Sequence, residues 1–121
     1  MYSIQLKRSY DEIGDQDGFR VLVDRLWPRG IKKESLKHDW WPKFISPSTG
    51  IRKAFNHEEE KFATFKEEYI LELNRNERKE EYLEKIATQL EKQPVTLLYG
   101  AKDQKYNHAV VLKQWTEQRL I

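Results

Sequence analysis

Val95-Thr96-Leu97-Leu98-Tyr99 lies between Pro94 and Gly100 and carries no charge. An apolar run without polar alternation is a strand covered on both faces, the kind that belongs in a parallel sheet. Val21-Leu22-Val23, within Phe19 to Asp24, repeats that signature. Between the two runs lie stripes at helical spacing. Phe62, Phe65, Tyr69 and Leu73 form one, on a helix from about Glu58, and Leu83, Ile86, Ala87 and Leu90 the other, from about Glu77 to Lys92. Buried strands separated by helices predict an α/β layer fold.

The remaining segments fit around that frame. Tyr2, Ile4 and Leu6 alternate with polar residues as a first strand. Asp11 to Gly18 is a connecting loop, and Pro28 and Gly30 end the second strand's extension. A short helix is expected around Lys32 to Lys37. In Asp39 to Ile45, Pro42 opposes a helix interior and restricts a strand to an edge. Ser48 is placed to cap a helix running to about Asn56, and Asn107 a last helix carrying Ala109, Val110, Leu112 and Trp115. The expectation is one small α/β domain over residues 1–121, its mainly parallel sheet of about four strands flanked by helices.

Composition narrows the chemistry. A chain of 121 residues buries roughly two-thirds of its unfolded surface and needs no disulfide or structural metal. Its 22 basic and 20 acidic residues leave a net charge of only +2, too little to predict nucleic-acid or membrane binding. The absence of Cys removes thiol nucleophiles, thiolate metal sites and iron–sulfur clusters. His38-Asp39 and His57-Glu58 are adjacent pairs, without the i, i+4 spacing that sets two ligands on one helix face, so no metal is expected. No motif indicates a cofactor. The N-terminal charges precede no long apolar core, so no export signal is read and the cytoplasm is the default.

Two segments follow buried strands and carry the candidate chemistry. In parallel α/β folds, ligands bind beyond the carboxyl ends of the strands. Asp24 to Gly30 (DRLWPRG) supplies Asp24, Arg25, Trp27 and Arg29. A guanidinium fork suits phosphate or carboxylate, and Trp27 can stack on a flat ligand. The alternative is an Asp24–Arg ion pair with Trp27 in the core. Gly100 to His108 supplies Lys102, Asp103, Asn107 and His108 at a helix start, which attracts anions. Here Asp103 is a candidate base or partner for His108, and His108 a proton shuttle. The plainer alternative makes Asp103 and Asn107 caps and leaves Lys102 in solvent.

These same stretches, DGFRVLVDRLWPRG and PVTLLYGAKDQKYNHAVVL, resemble the family called domain of unknown function 488, in its short, YeaO-like branch. Ser46-Pro47-Ser48 with Arg52 and Phe55-Asn56-His57 extend the likeness over nearly the whole chain. The resemblance implies a compact α/β domain. It carries over Asp24, Arg25, Trp27, Pro28, Arg29, Gly30, Lys102, Asp103, Asn107 and His108 as motif residues. Longer members often have Cys near the positions of Tyr99 and Asn107; with Tyr and Asn here, thiol chemistry is out of reach.

The leading functional expectation is a small enzyme acting on an anionic, phosphate- or nucleotide-like molecule. Arg25, Arg29 and Lys102 would neutralise the anion, Asp103 and His108 would form the acid/base pair, and Asp24 would fix an Arg. The rivals are a ligand-binding or regulatory module without chemistry, and a protein-interaction domain.

Overall fold

A computed structural model describes residues 1–120. The strands are β1 (Ile4–Arg8), β2 (Phe19–Leu22) and β3 (Val95–Tyr99). The helices are α1 (Lys33–Leu36), α2 (Thr49–Phe55), α3 (Phe62–Arg75), α4 (Lys79–Leu90) and α5 (His108–Arg119), with 3-10 turns at Lys43–Ile45 and Glu59–Lys61. All strand pairings are parallel in the order β1-β3-β2, with Ile4 and Phe19 both opposite Val95. The last strand in sequence is therefore the central one, and every residue of β3 is buried, as its unbroken apolar run requires.

Register divides the sheet into two faces. Ile4, Val21, Val23, Val95, Leu97 and Tyr99 point into a core built with Phe65, Tyr69 and Leu73 of α3, Tyr82 and Ile86 of α4, and Leu112 and Trp115 of α5. Both predicted stripes thus face the same core. The other face is covered differently. Leu22 and Leu98 pack against Leu36, with Trp27, Ile31 and Trp41 around them, while Arg20 and Thr96 lie under the Asp11–Gly18 loop through Asp17.

Gly18 is where that loop enters β2. Its φ is +64°, and a Cβ there would stand 2.0 Å from the Pro94 carbonyl oxygen, so no other residue fits. The pinch sets the start of the sheet, since Phe19 N–H donates to the same carbonyl at 2.8 Å.

The sheet has three strands among the described residues, not about four. The Asp39 to Ile45 segment, which the sequence left open to an edge strand, does not become one. Trp40 makes one parallel bridge to Val21, but Pro42 has no N–H to continue a ladder, and the chain turns into the 3-10 turn at Lys43–Ile45. Helix boundaries also tighten. The stripe from Glu58 divides into the 3-10 turn Glu59–Lys61 and α3, and α4 begins at Lys79.

Ser48 stands at the N-cap position of α2, but its side chain does not cap the helix. Its hydroxyl and N–H instead donate to the two carboxylate oxygens of Glu72 on α3, at 2.5 and 3.0 Å. This clamp fixes the start of α2 on α3. Asn107 does cap α5, accepting from Val110 N–H at 3.0 Å.

Candidate functional site

The loops after all three strands meet at the carboxyl end of the sheet. With α2 they enclose a cavity of about 650 Å³. Tyr10 comes from the loop after β1, Asp24 to Arg29 from that after β2, and Gly100, Asn107 and His108 from that after β3. The two segments picked out from sequence therefore do converge.

Asp24 is the pivot of this end. Where β2 and β3 stop pairing, Asp24 Oδ2 accepts from Gly100 N–H at 2.9 Å and so extends the ladder by one side-chain bond. A Cβ on Gly100 would lie 3.0 Å from that oxygen, so any larger residue there would press on the Asp24 carboxylate. The Asp24 carbonyl is held as well, by the Trp41 indole N–H at 2.7 Å. No ion pair joins Asp24 to Arg25 or Arg29 among the described residues, so its expected role of fixing an Arg gives way to fixing the strand ends.

His108 opens α5 and reaches back over the end of β2. Its Nε2 lies 3.2 Å from the Val23 carbonyl oxygen and 3.0 Å from Asp24 Oδ1. The carbonyl can only accept, which assigns the hydrogen to Nε2. That N–H serves the carbonyl and leaves Asp24 Oδ1 buried without a hydrogen bond, although the two groups are within ion-pair distance. The residue beside His108 is thus Asp24 and not Asp103.

Asp103 is engaged elsewhere. Its Oδ1 accepts from the N–H groups of Lys105 at 2.8 Å and Tyr106 at 2.9 Å, and its side chain is exposed. Those two bonds, Tyr106 first, hold its carboxyl below the usual range, the wrong direction for a base near neutral pH. No hydrogen bond or ion pair joins it to His108 among the described residues. Lys102 is exposed and does not line the cavity. Asn107 lines it but is committed as the α5 cap, with its Nδ2 donating to the Asp103 carbonyl at 2.8 Å.

The cationic residues behave differently. Arg25 contacts only carbonyl oxygens, those of Ser46 and Pro47, at 3.3 to 3.4 Å. Arg29 is exposed at the rim. Two further cations, Arg52 and Lys53, come from α2 and were not among the residues expected at the site. Arg52 donates to Thr49 Oγ1 at 3.3 Å, while its Nε is buried with no partner. Four cationic side chains and one carboxylate therefore line the cavity.

Trp27 packs edge-on against Trp41 and His38 and donates to the Ile31 carbonyl at 2.6 Å, so it shapes the wall as a core residue. Phe55 and Phe65, stacked with ring centroids 4.6 Å apart, line the α2 side. Beside them, Asn56 and His57 take left-handed backbone conformations with φ of +48° and +56°. Two consecutive non-glycine residues in that region are uncommon, and they turn the chain at the cavity lip. The signal for this wall was the Arg-Lys pair near the end of a short helix. On its own that pair reads equally well as charge complementing the helix dipole.

Residues 3–121 match the family model described as the inactive DUF488-N3 subclade. The chain is 53% identical over 113 residues to the Escherichia coli K12 protein YeaO, covering 93% of this chain and 96% of that one. It is also 35% identical over 111 residues to the Mycobacterium tuberculosis H37Rv protein Rv3073c, covering 92% and 91%. No solved structure matches.

Proposed function

Since the chain belongs to the DUF488 family, with YeaO among its relatives, we propose that it acts as one α/β unit that binds an anionic small molecule, without turnover. The observation that carries this reading is the charge imbalance of the cavity. Four cations face one carboxylate, and that carboxylate is already bonded to Gly100. Cations lining a concave wall without carboxylate partners favour an anion there. Arg25 has only long contacts to carbonyls, and Arg52 has an unpartnered buried Nε. A phosphate or carboxylate supplies the charged acceptor that neither has.

The absence of turnover rests on how the acid–base groups are engaged. The Nε2 hydrogen of His108 goes to a backbone carbonyl, and Asp103 is held by its own loop. The family model's description as inactive supports the same reading. Catalysis is a second reading, favoured by the 3.0 Å approach of Asp24 Oδ1 to His108 Nε2.

Thermal unfolding with inorganic phosphate tests the proposal. A ligand at a hundred times its Kd stabilises by about 2.7 kcal/mol, which for a domain of this size raises Tm by on the order of 10 °C. The Arg25→Ala/Arg52→Ala double variant is expected to fold and to lose that shift. An unchanged Tm for the wild type in phosphate, or an equal shift in the double variant, sinks the reading. Turnover of a phosphate ester that vanishes in His108→Ala would instead establish catalysis.

A further inference from the structure

The cavity is larger than its charges require. At about 650 Å³ it has roughly twenty times the ~30 Å³ that one water occupies in the liquid, whereas a tetrahedral oxyanion displaces only a few waters. Pockets of this size hold whole organic ligands. Two of the four cations share one end of the cavity. Arg25 rests on the Ser46 and Pro47 carbonyls and Arg52 on Thr49, so both head groups lie at the start of α2.

Two exposed apolar groups share the cavity with those cations. Tyr10 is 46% exposed and Leu26 68% exposed, and both line the cavity. An exposed leucine alone needs no explanation, but here it shares a rim with an exposed ring whose position is fixed. The Tyr10 hydroxyl donates to the Arg29 carbonyl at 2.8 Å, and the Arg8 guanidinium sits 4.9 Å from the ring centroid. Arg8 is itself tied to the Gly100 and Ala101 carbonyls at 3.1 and 2.9 Å. A ring held by its hydroxyl and by a cation over one face is preorganised, and it loses little entropy when a flat group settles against it.

We propose that the ligand is a phosphate monoester with an aromatic body. Its phosphate sits between Arg25 and Arg52, and its ring lies on the Tyr10 and Leu26 rim. This rests on the anion-binding reading above and adds the organic part of the ligand. It makes Tyr10 and Leu26 determinants of specificity, not of charge recognition.

Calorimetric titration of the full chain with inorganic phosphate, methyl phosphate, phenyl phosphate and adenosine monophosphate tests it. The two aromatic esters are expected to bind at least about 10-fold more tightly than the other two, within the range that base–aromatic stacking supplies. Leu26→Ser should reduce that gain and leave the Kd for inorganic phosphate unchanged; Tyr10→Ala should reduce the gain as well, and Tyr10→Phe, which keeps the ring but not its bond to the Arg29 carbonyl, should keep most of it. Leu26→Ser alters an exposed side chain, so it reports even where Tyr10→Ala fails to fold. Equal affinity for all four probes, or a gain that survives Leu26→Ser in full, overturns this inference and leaves anion binding standing. Binding of none of the four overturns both.

Discussion

Two aspartates lie on either side of β2, seven residues apart in sequence, and the protein treats them in opposite ways. Asp17 sits under the polar face of the sheet with every neighbour engaged. Lys7 reaches it at 2.7 Å, Gly14 N–H at 3.0 Å, and Arg20 closes the group with its other nitrogens on the Leu36 and Lys37 carbonyls. Asp24 stands at the other end of the strand with one oxygen bonded and the other without a hydrogen bond, 3.0 Å from His108 Nε2, in a cavity whose cations are loosely held. Fully satisfied polar groups make a rigid structural joint. Groups left partly unsatisfied in a concave space are where a ligand completes the bonding.

If that contrast is right, the largest effect comes from Asp17→Asn. Removing one partner of a buried ion pair leaves the other uncompensated, and about 3 kcal/mol of stability should be lost at neutral pH, at the low end for such breaks because Lys7 is part-exposed. The loss should depend on pH in one direction. Burial pushes the Asp17 carboxyl up, but the bonds from Lys7, Gly14 N–H and Arg20 outweigh it and hold it below its ordinary value of 3.8. A depressed folded-state pKa gives stability that is present above the unfolded value and fades as pH falls through the folded one. Urea unfolding of wild type and Asp17→Asn should therefore differ most above pH 3.8 and converge in stronger acid. A difference that stays constant into strong acid would mean the carboxylate charge is not what matters.

Asp24→Asn is the matching change at the open end. The amide oxygen can still accept from Gly100 N–H, so stability should fall by only about 1 kcal/mol, the worth of an ordinary hydrogen bond. Phosphate affinity should rise several-fold, because the single carboxylate among four cations has been neutralised. Denaturation and titration of the same preparation read both. A stability loss as large as that of Asp17→Asn would make the two aspartates alike and end the comparison.

The smallest expected effect is at the cavity lip. His57 has φ +56°, a conformation costing an L-residue roughly 1–2 kcal/mol, while glycine brings its own entropy cost of about 0.5–1 kcal/mol. His57→Gly should thus be neutral to about 1 kcal/mol more stable by chemical denaturation, with weaker phosphate binding if the turn shapes the wall. A clear destabilisation would show the imidazole contributing more to the fold than its backbone costs.

What could be read from sequence was whatever depended on neighbours along the chain. The β3 run, the α3 stripe and the Asn107 cap each follow from spacing within one segment, and each was found where expected. The convergence of Asp24 to Arg29 with His108 followed from one topological rule applied to two buried strands. Tertiary pairing was not legible. Nothing local shows that Asp24 bonds to Gly100, 76 positions on, or that Ser48 hands its cap to Glu72 and so sets Arg52 and Lys53 against the cavity. Asp103 was misplaced for a related reason. An Asp before a helix serves its own loop as readily as a distant imidazole, and here it serves the loop.

The strand order bears on how the chain comes together. Ile4 and Phe19 share Val95 as their partner, so β1 and β2 do not pair with each other and wait for the last strand to come between them. Contacts across such long loops close slowly, because chain entropy is lost before any pairing rewards it. During synthesis from the N-terminus, the first three-quarters of the chain therefore carries two strands with no sheet to join. The cavity forms only when β3 and the start of α5 are in place, so the loops that line it gain their geometry late, from the strand that joins the other two.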